Sequence, residues 1–226
     1  NVVACPERHL GGVRVRPLAR VSRGEKAPAT PKGGTMTPHE QALGHLRTMV
    51  LTCRMCGLGE TRLNTVFSRG DGSSGLVVVG EAPGADEDAS GTPFVGSSGK
   101  VLDKALTSVG IDPKTTYVCN VVKCRPPQNR VPQVVEISAC SGYLFRQIQL
   151  VKPRVILTLG QTAGRAILGA EKWPGMVDIR GKWQAALDAA VMPTFHPAYL
   201  FRVSSARAAF EEDFRAVAER LTLVRA

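Results

Sequence analysis

Short apolar runs recur along the chain and predict the strands of a sheet. The clearest are LVVVG at 76–80, TYVCN at 116–120 and RVILTLG at 154–160. Runs of this length without polar alternation are typical of strands that are buried on both faces of a parallel sheet. VDIRGKW at 177–183 and AAVMPTF at 189–195 are interpreted as two further strands.

Amphipathic segments between these runs predict helices. The first begins at a capping box, with Thr37 as N-cap, Pro38 at the first helical position and Glu40 at the third, and extends to about residue 51. The other predicted helices span about 98–109, 132–151, 161–168 and 204–224. Because strands alternate with helices, we expect an α/β protein whose parallel sheet is covered by helices on both faces.

The N-terminal 35 residues differ from the rest. They show no helical or alternating pattern and contain seven basic and two acidic residues, which is half of the net charge of +10. We therefore expect residues 1–35 to form a flexible basic arm and residues 36–226 to form one domain. Met36 directly follows the arm and leaves open whether the arm is native. No apolar run approaches the ~18 residues of a membrane span, so membrane insertion is not expected.

Four of the six cysteines have the spacing of a metal or cluster site. Cys53 and Cys56 form a C-x2-C pair at the end of the first predicted helix, and Cys124 and Cys140 follow around a Pro-rich loop. Four soft ligands in two pairs suit tetrahedral zinc or a [4Fe–4S] cluster, and spacing alone does not separate the two. The alternative is a chance C-x2-C pair and two core cysteines.

A glycine-rich acidic loop follows the first predicted strand. GEAPGADEDASGTPFVG at 80–96 contains Glu81 and Glu87, and its glycines allow close backbone approach to a ligand. Phe94 is an aromatic residue in a polar loop, which requires either the core or a flat ligand to stack on. A solvated acidic loop is the simpler alternative.

Two more loops follow predicted strands. The first loop carries Asn120 at a strand end, and the second carries His196 just after a strand. Both loops also contain basic side chains that suit phosphate contacts, namely Lys123, Arg125, Arg130 and Arg202. A surface turn and a structural histidine are the alternatives. Because ligands bind where loops leave the carboxyl ends of parallel strands, the three loops are expected to converge.

The motifs GEAPGADEDASGTPFVG, NVVKCRPPQNRVP and TFHPAYLFR, in this order, resemble those of the family 4 uracil-DNA glycosylases over about residues 37–225. The resemblance implies a three-layer α/β/α sandwich around a four-stranded parallel sheet, so that residues 36–226 would be the glycosylase domain. It implies a monofunctional enzyme that hydrolyses the N-glycosidic bond of uracil in single- or double-stranded DNA. It further implies a monomer located in the cytoplasm with the nucleoid. It also favours iron–sulfur over zinc, with a [4Fe–4S] cluster held by Cys53, Cys56, Cys124 and Cys140.

The resemblance further assigns the uracil-binding residues. Phe94 would stack on a uracil flipped out of the DNA, and the Asn120 amide would pair with its O4/N3–H edge. His196 would donate a hydrogen bond to O2 and stabilise the negative charge that develops as the glycosidic bond breaks. Backbone N–H groups of the turn at Glu81 and Ala82 would assist.

The remaining roles concern water and DNA. Ala82 occupies the position where the best-known uracil-DNA glycosylases carry a water-activating Asp, so Glu81, ahead of Glu87, is expected to orient water or stabilise the sugar cation. Leu200 would fill the gap left by the flipped base. The residues expected to contact phosphates are Lys123, Arg125, Arg130 and Arg202.

Two other functional classes compete with this interpretation. A non-catalytic nucleic-acid-binding protein with a zinc or cluster site is the runner-up, but such a protein needs no uracil pocket. A nucleotide-handling enzyme is disfavoured because GSSGK at 96–100 lacks the first glycine and the final Ser/Thr of a phosphate-binding loop.

Overall fold

The fold was analysed in a computed structural model, which describes residues 9–10, 13–14 and 37–223. Within the predicted arm, two short strands, β1 (His9–Leu10) and β2 (Val13–Arg14), pair antiparallel. The rest of the predicted arm lies outside the described residues.

The central sheet contains five strands in the order β4-β3-β5-β7-β6. Four of them run parallel and β6 is antiparallel to β7, so the predicted parallel sheet is confirmed with an extra edge strand. Their bounds are Leu76–Gly80 for β3, Tyr117–Asn120 for β4, Val155–Leu159 for β5, Gln184–Ala186 for β6 and Ala189–Thr194 for β7.

The strand predicted over 177–183 is wrong. Met176–Ile179 forms a short helix, and β6 begins only at Gln184. A two-residue turn joins β6 to β7, and both its residues, Leu187 and Asp188, have positive φ (55° and 59°). Such turns match the twist of antiparallel strands, which explains why the chain reverses here without a crossover helix.

Eight α-helices are present among the described residues. They are α1 (Pro38–Leu51), α2 (Leu58–Thr61), α3 (Ala85–Ser90), α4 (Ser97–Ser108), α5 (Val134–Val151), α6 (Gln161–Leu168), α7 (Met176–Ile179) and α8 (Arg207–Leu223). The capping box predicted for α1 is confirmed: the Thr37 hydroxyl accepts from the Glu40 N–H and the Glu40 carboxylate accepts from the Thr37 N–H. None of these helices is long and apolar enough to cross a bilayer.

Alternate residues of the sheet enter two separate cores. Val77 and Val79 pack in one core with residues of α1, α5 and α6, whereas Leu76 and Val78 pack in the other with residues of α4 and α8. This alternation follows from the two-residue period of a strand and confirms the three-layer sandwich. It also leaves the carboxyl ends of β3, β4 and β7 free to present their loops at one edge.

Candidate active site and cysteine cavity

The three predicted loops converge on one cleft of about 630 Å³ at the carboxyl ends of the parallel strands. Six residues that the sequence placed in the site line this cleft: Glu81, Ala82, Glu87, Phe94, Asn120 and His196. Part of the first loop, predicted to be irregular throughout, forms α3. The short helix positions Glu87 so that its carboxylate can reach back to the loop backbone.

Asn120 and Phe94 meet at the floor of the cleft, over Gly80. A Cβ atom on Gly80 would lie 2.4 Å from Asn120 Oδ1 and 2.5 Å from Phe94 Cζ, so only glycine fits. The Asn120 side chain is 1% exposed, and its Oδ1 has no hydrogen-bond partner among the described residues. A buried polar atom without a partner is costly, and a ligand that donates a hydrogen bond here would remove that cost.

The Phe94 ring is held in place by its own backbone. Phe94 has φ of +56°, an uncommon value for a bulky residue, and its carbonyl lies where any side chain on Gly99 would be. The ring centroid is 6.1 Å from that of His196, and the planes are tilted by 37°. The two rings therefore both line the cleft but do not stack on each other.

His196 presents one nitrogen to the cleft as a donor. Its Nδ1 accepts a hydrogen bond from the Ala198 N–H (3.2 Å), so the neutral ring carries its proton on Nε2. The pKa of His196 is lowered to about 4, mainly because the ring is buried in the cleft wall; Glu87 raises the pKa in part and Arg202 lowers it. The imidazole is therefore neutral at pH 7 and its Nε2–H can donate to a carbonyl oxygen.

The two candidate carboxylates have different surroundings. Both oxygens of Glu87 accept backbone hydrogen bonds, from the N–H groups of Gly84, Val95 and Gly96, each at 3.0 Å. Within the described part of the chain, the Glu81 carboxylate accepts from the Thr162 hydroxyl at the start of α6 and from no other group. Thr162 was missed by the sequence analysis, since no local motif connects α6 to the first loop. Glu87 holds the loop in shape, while Glu81 retains acceptor capacity toward the cleft.

The four spaced cysteines line one small cavity together with Arg62, Lys123 and Tyr143; we call it the cysteine cavity. Arg62 Nη1 lies 3.0 Å from Cys124 Sγ, and the Lys123 N–H lies 3.3 Å from Cys140 Sγ. Burial raises the pKa of the Cys140 thiol to about 12 and also raises those of Cys56 and Cys124. These thiols are neutral at pH 7, so binding of a metal would release protons.

Comparison with known proteins identifies the family. The uracil DNA glycosylase superfamily profile matches residues 67–222. The chain belongs to this superfamily.

Three curated relatives show how similar the chain is to individual members. It is 38% identical over 185 residues to the Type-4 uracil-DNA glycosylase of Sulfurisphaera tokodaii, covering 79% of this chain and 84% of the relative. It is 39% identical over 170 residues to the Type-4 uracil-DNA glycosylase of Thermotoga maritima, covering 74% and 87%. The Type-5 uracil-DNA glycosylase of Pyrobaculum aerophilum is 33% identical over 149 residues, covering 58% and 64%.

Two of the DNA contacts predicted for this superfamily member are wrong. Lys123 is 1% exposed and donates to the Asn120 backbone oxygen (2.6 Å), so it cannot reach a phosphate from this position. Leu200 is 3% exposed and packs with the core that contains Phe210 and Phe214, so it does not protrude as a wedge. The next residue, Phe201, is 56% exposed instead. A short helical turn over Pro197–Phe201 rotates Leu200 inward, which the linear motif did not reveal.

The predicted arginines of the superfamily member differ in availability. Arg130 makes two hydrogen bonds to Glu136 (2.9 and 2.6 Å), and Arg125 Nε donates to Asn129 Oδ1 (2.7 Å). Arg202 is exposed at the edge of the cleft, and its guanidinium has no partner among the described residues. Arg202 is therefore the most available of the three for a phosphate.

Proposed function

We propose that this chain is a DNA-repair hydrolase that cleaves the N-glycosidic bond of uracil in DNA and leaves an abasic site. Membership of the superfamily and the names of the Type-4 relatives support this function. The observation that carries it is the buried Asn120 amide with an unpartnered oxygen, in one cleft with Phe94 and a neutral His196.

Base selection would depend on Asn120. An amide can accept from uracil N3–H and donate to O4, whereas cytosine reverses that pattern and would leave buried polar groups unpaired. A base must leave the duplex to reach the floor of the cleft, at a cost of a few kcal/mol in stacking and pairing. Stacking on the Phe94 ring would offset part of that cost.

Bond cleavage would use His196 and Glu81. As the C1′–N1 bond breaks, its electron pair moves onto the uracil ring, and the His196 Nε2–H donates to the O2 atom where negative charge accumulates. Glu81 accepts a proton from a water that attacks C1′, so that the water oxygen completes the abasic sugar. The Thr162 hydroxyl orients the Glu81 carboxylate for this step.

DNA would be held at the edges of the cleft. Arg202, which lines the cleft, would contact a phosphate, and the exposed Phe201 beside it would fill the space left by the flipped base in place of Leu200. Arg130 also lines the cleft, and Arg125 precedes it in the same loop, although their present partners limit what they can donate. We expect the enzyme to act as a monomer, in the cytoplasm with the nucleoid, on single- or double-stranded DNA.

The cysteine cavity fits a [4Fe–4S] cluster. Its four sulfur donors suit iron–sulfur chemistry, and Arg62 already donates to Cys124 Sγ. Among the described residues, no three His, Cys, Asp or Glu side chains are grouped as a single metal ion requires. Cys53, Cys56, Cys124 and Cys140 would be the residues that hold a cluster here. When bound, the cluster would serve as a covalent link between the Cys53–Cys56 segment and α5.

One assay tests the proposed function. Purified protein is incubated with oligonucleotides that contain uracil, thymine or cytosine at one position, and abasic sites are then cleaved with alkali. We expect strand cleavage only at uracil. No cleavage by protein that carries its full iron content would refute the proposal.

A further inference from the structure

Lys123 is a buried lysine that forms no ion pair with an acidic residue in the described part of the chain. Its side chain is 1% exposed, and its Nζ donates to the Asn120 backbone oxygen at 2.6 Å. Over the described part of the chain, the three ion pairs all involve other residues. An ammonium group taken out of water without a counter-charge is strongly destabilised. The position of Lys123 therefore calls for an anion nearby.

The same residue lines the cysteine cavity. Its backbone N–H points at Cys140 Sγ (3.3 Å), its carbonyl accepts from the Val66 N–H (2.8 Å), and Cys124 is the next residue in the chain. Lys123 thus lies at the cysteine cavity while its side chain contacts the end of β4. Among the described residues that line the cavity, Lys123 alone hydrogen-bonds to Asn120.

We propose that Lys123 is a positioning residue whose ammonium pairs with the negative charge of the loaded cysteine cavity and thereby fixes the strand end that carries Asn120. The inference rests on the cluster included in the proposed function. Four thiolates outweigh the positive charge of the iron–sulfur core, so the loaded cavity is anionic. Occupancy of the cavity is then coupled to the geometry of the cleft through one side chain.

The backbone around Lys123 shows how such coupling would reach the cleft. The Val121 N–H donates to the Gly80 carbonyl (2.9 Å) and the Val122 N–H to the Glu81 carbonyl (3.2 Å). The segment fixed by Lys123 is therefore hydrogen-bonded to the residues that form the floor and the acidic wall of the cleft. Loss of the counter-charge would loosen this segment first.

The test replaces Lys123 by methionine, which keeps the length and removes the charge. We expect the reduction potential of the cluster to become more negative, because a nearby cation favours the more reduced, more negative form. Loss of the cluster to a chelator should be about tenfold faster, and KM for uracil-containing DNA should rise. Gln147→Met is the matched control, since Gln147 is also fully buried but does not line the cavity.

The outcomes separate this inference from the proposed function. Wild-type protein without iron refutes the cluster itself. An iron-loaded Lys123→Met protein with the potential and release rate of the wild type overturns the role of Lys123 alone. If Lys123→Met does not fold, the inference is tested by amide hydrogen exchange of the wild-type protein with and without the cluster. We expect faster exchange at Val121 and Val122 than at Leu157 after removal; no difference, or an equal change at all three, overturns the inference.

Discussion

The cleft and the cysteine cavity differ in whether their polar atoms already have hydrogen-bond partners. In the cleft, Asn120 Oδ1 has no hydrogen-bond partner among the described residues, and His196, whose Nδ1 accepts from the Ala198 N–H, lines the same space. In the cysteine cavity, sulfur atoms of Cys124 and Cys140 already accept from Arg62 and from the Lys123 backbone. The first arrangement suits a ligand that comes and goes, and the second suits one that stays. Asn120 Oδ1 therefore stays available to a ligand that enters the cleft.

The largest expected effect concerns the cysteine cavity. Cys124→Ala should lose the brown chromophore and lower the Tm by about 10 °C, because a structural link between two elements is removed. Absorbance, iron content and thermal unfolding measure it. Cys119→Ala is the control, since Cys119 is buried in β4 and does not line the cavity. Normal stability of an iron-free Cys124→Ala protein would contradict the cavity's structural role.

The next effect distinguishes two carboxylates within the cleft. Glu81→Gln should lower kcat by about 10²–10⁴-fold, because it removes the carboxylate proposed to accept a proton from water. Glu87→Gln should mainly lower the Tm, since an amide cannot accept all three backbone hydrogen bonds that the Glu87 carboxylate accepts. Single-turnover rates and thermal unfolding compare the two variants. The reverse ranking of kcat would reassign the base to Glu87.

The protonation state of His196 gives a pH-dependent prediction. Because burial lowers its pKa to about 4, the ring stays neutral as the pH falls from 7 through 6.5 and gains its proton only near pH 4. An NMR titration of the imidazole should therefore show a midpoint near pH 4. Independently, His196→Ala should lower kcat by about 10²–10³-fold, because it removes the proposed donor to uracil O2. A midpoint near the ordinary value of about 6.5 would mean that the ring is solvated rather than enclosed.

The smallest effect concerns the edge of the cleft. Phe201→Ala should reduce excision from double-stranded DNA about tenfold, the scale of one lost stacking contact, and leave excision from single strands unchanged. Val177→Ala, which removes an exposed apolar side chain that does not line the cleft, is the control. Equal loss on both substrates would show that Phe201 does not compensate for base flipping.

Most of the fold and the cleft could be predicted because their signals are local. The β3 and β5 runs, the capping box at Thr37 and the polar residues at strand ends each lie within a few consecutive residues, and the geometry of parallel sheets then brings them together. The cysteine spacing was informative for the same reason. The need for glycine at position 80 could not be predicted locally, because it depends on the contacts of Asn120 and Phe94 above it.

Side-chain direction and long-range partners could not be predicted. Lys123 and Leu200 lie in the expected motifs, yet both point inward, because Lys123 reaches the Asn120 carbonyl and a helical turn rotates Leu200 into the core. Arg130 is paired with Glu136 on α5, and Glu81 with Thr162 on α6. The strand predicted at 177–183 failed because a helical turn precedes the short edge strand.

The central claim is that the unpartnered Asn120 amide selects uracil, and Asn120→Asp tests it most directly. A carboxylate cannot donate to uracil O4, but it can accept from the amino group that cytosine presents at the same edge. The measurement is kcat/KM for uracil-containing and cytosine-containing oligonucleotides with the iron-loaded protein. We expect the uracil-to-cytosine ratio to fall by about one to two orders of magnitude. An unchanged ratio would contradict the claim.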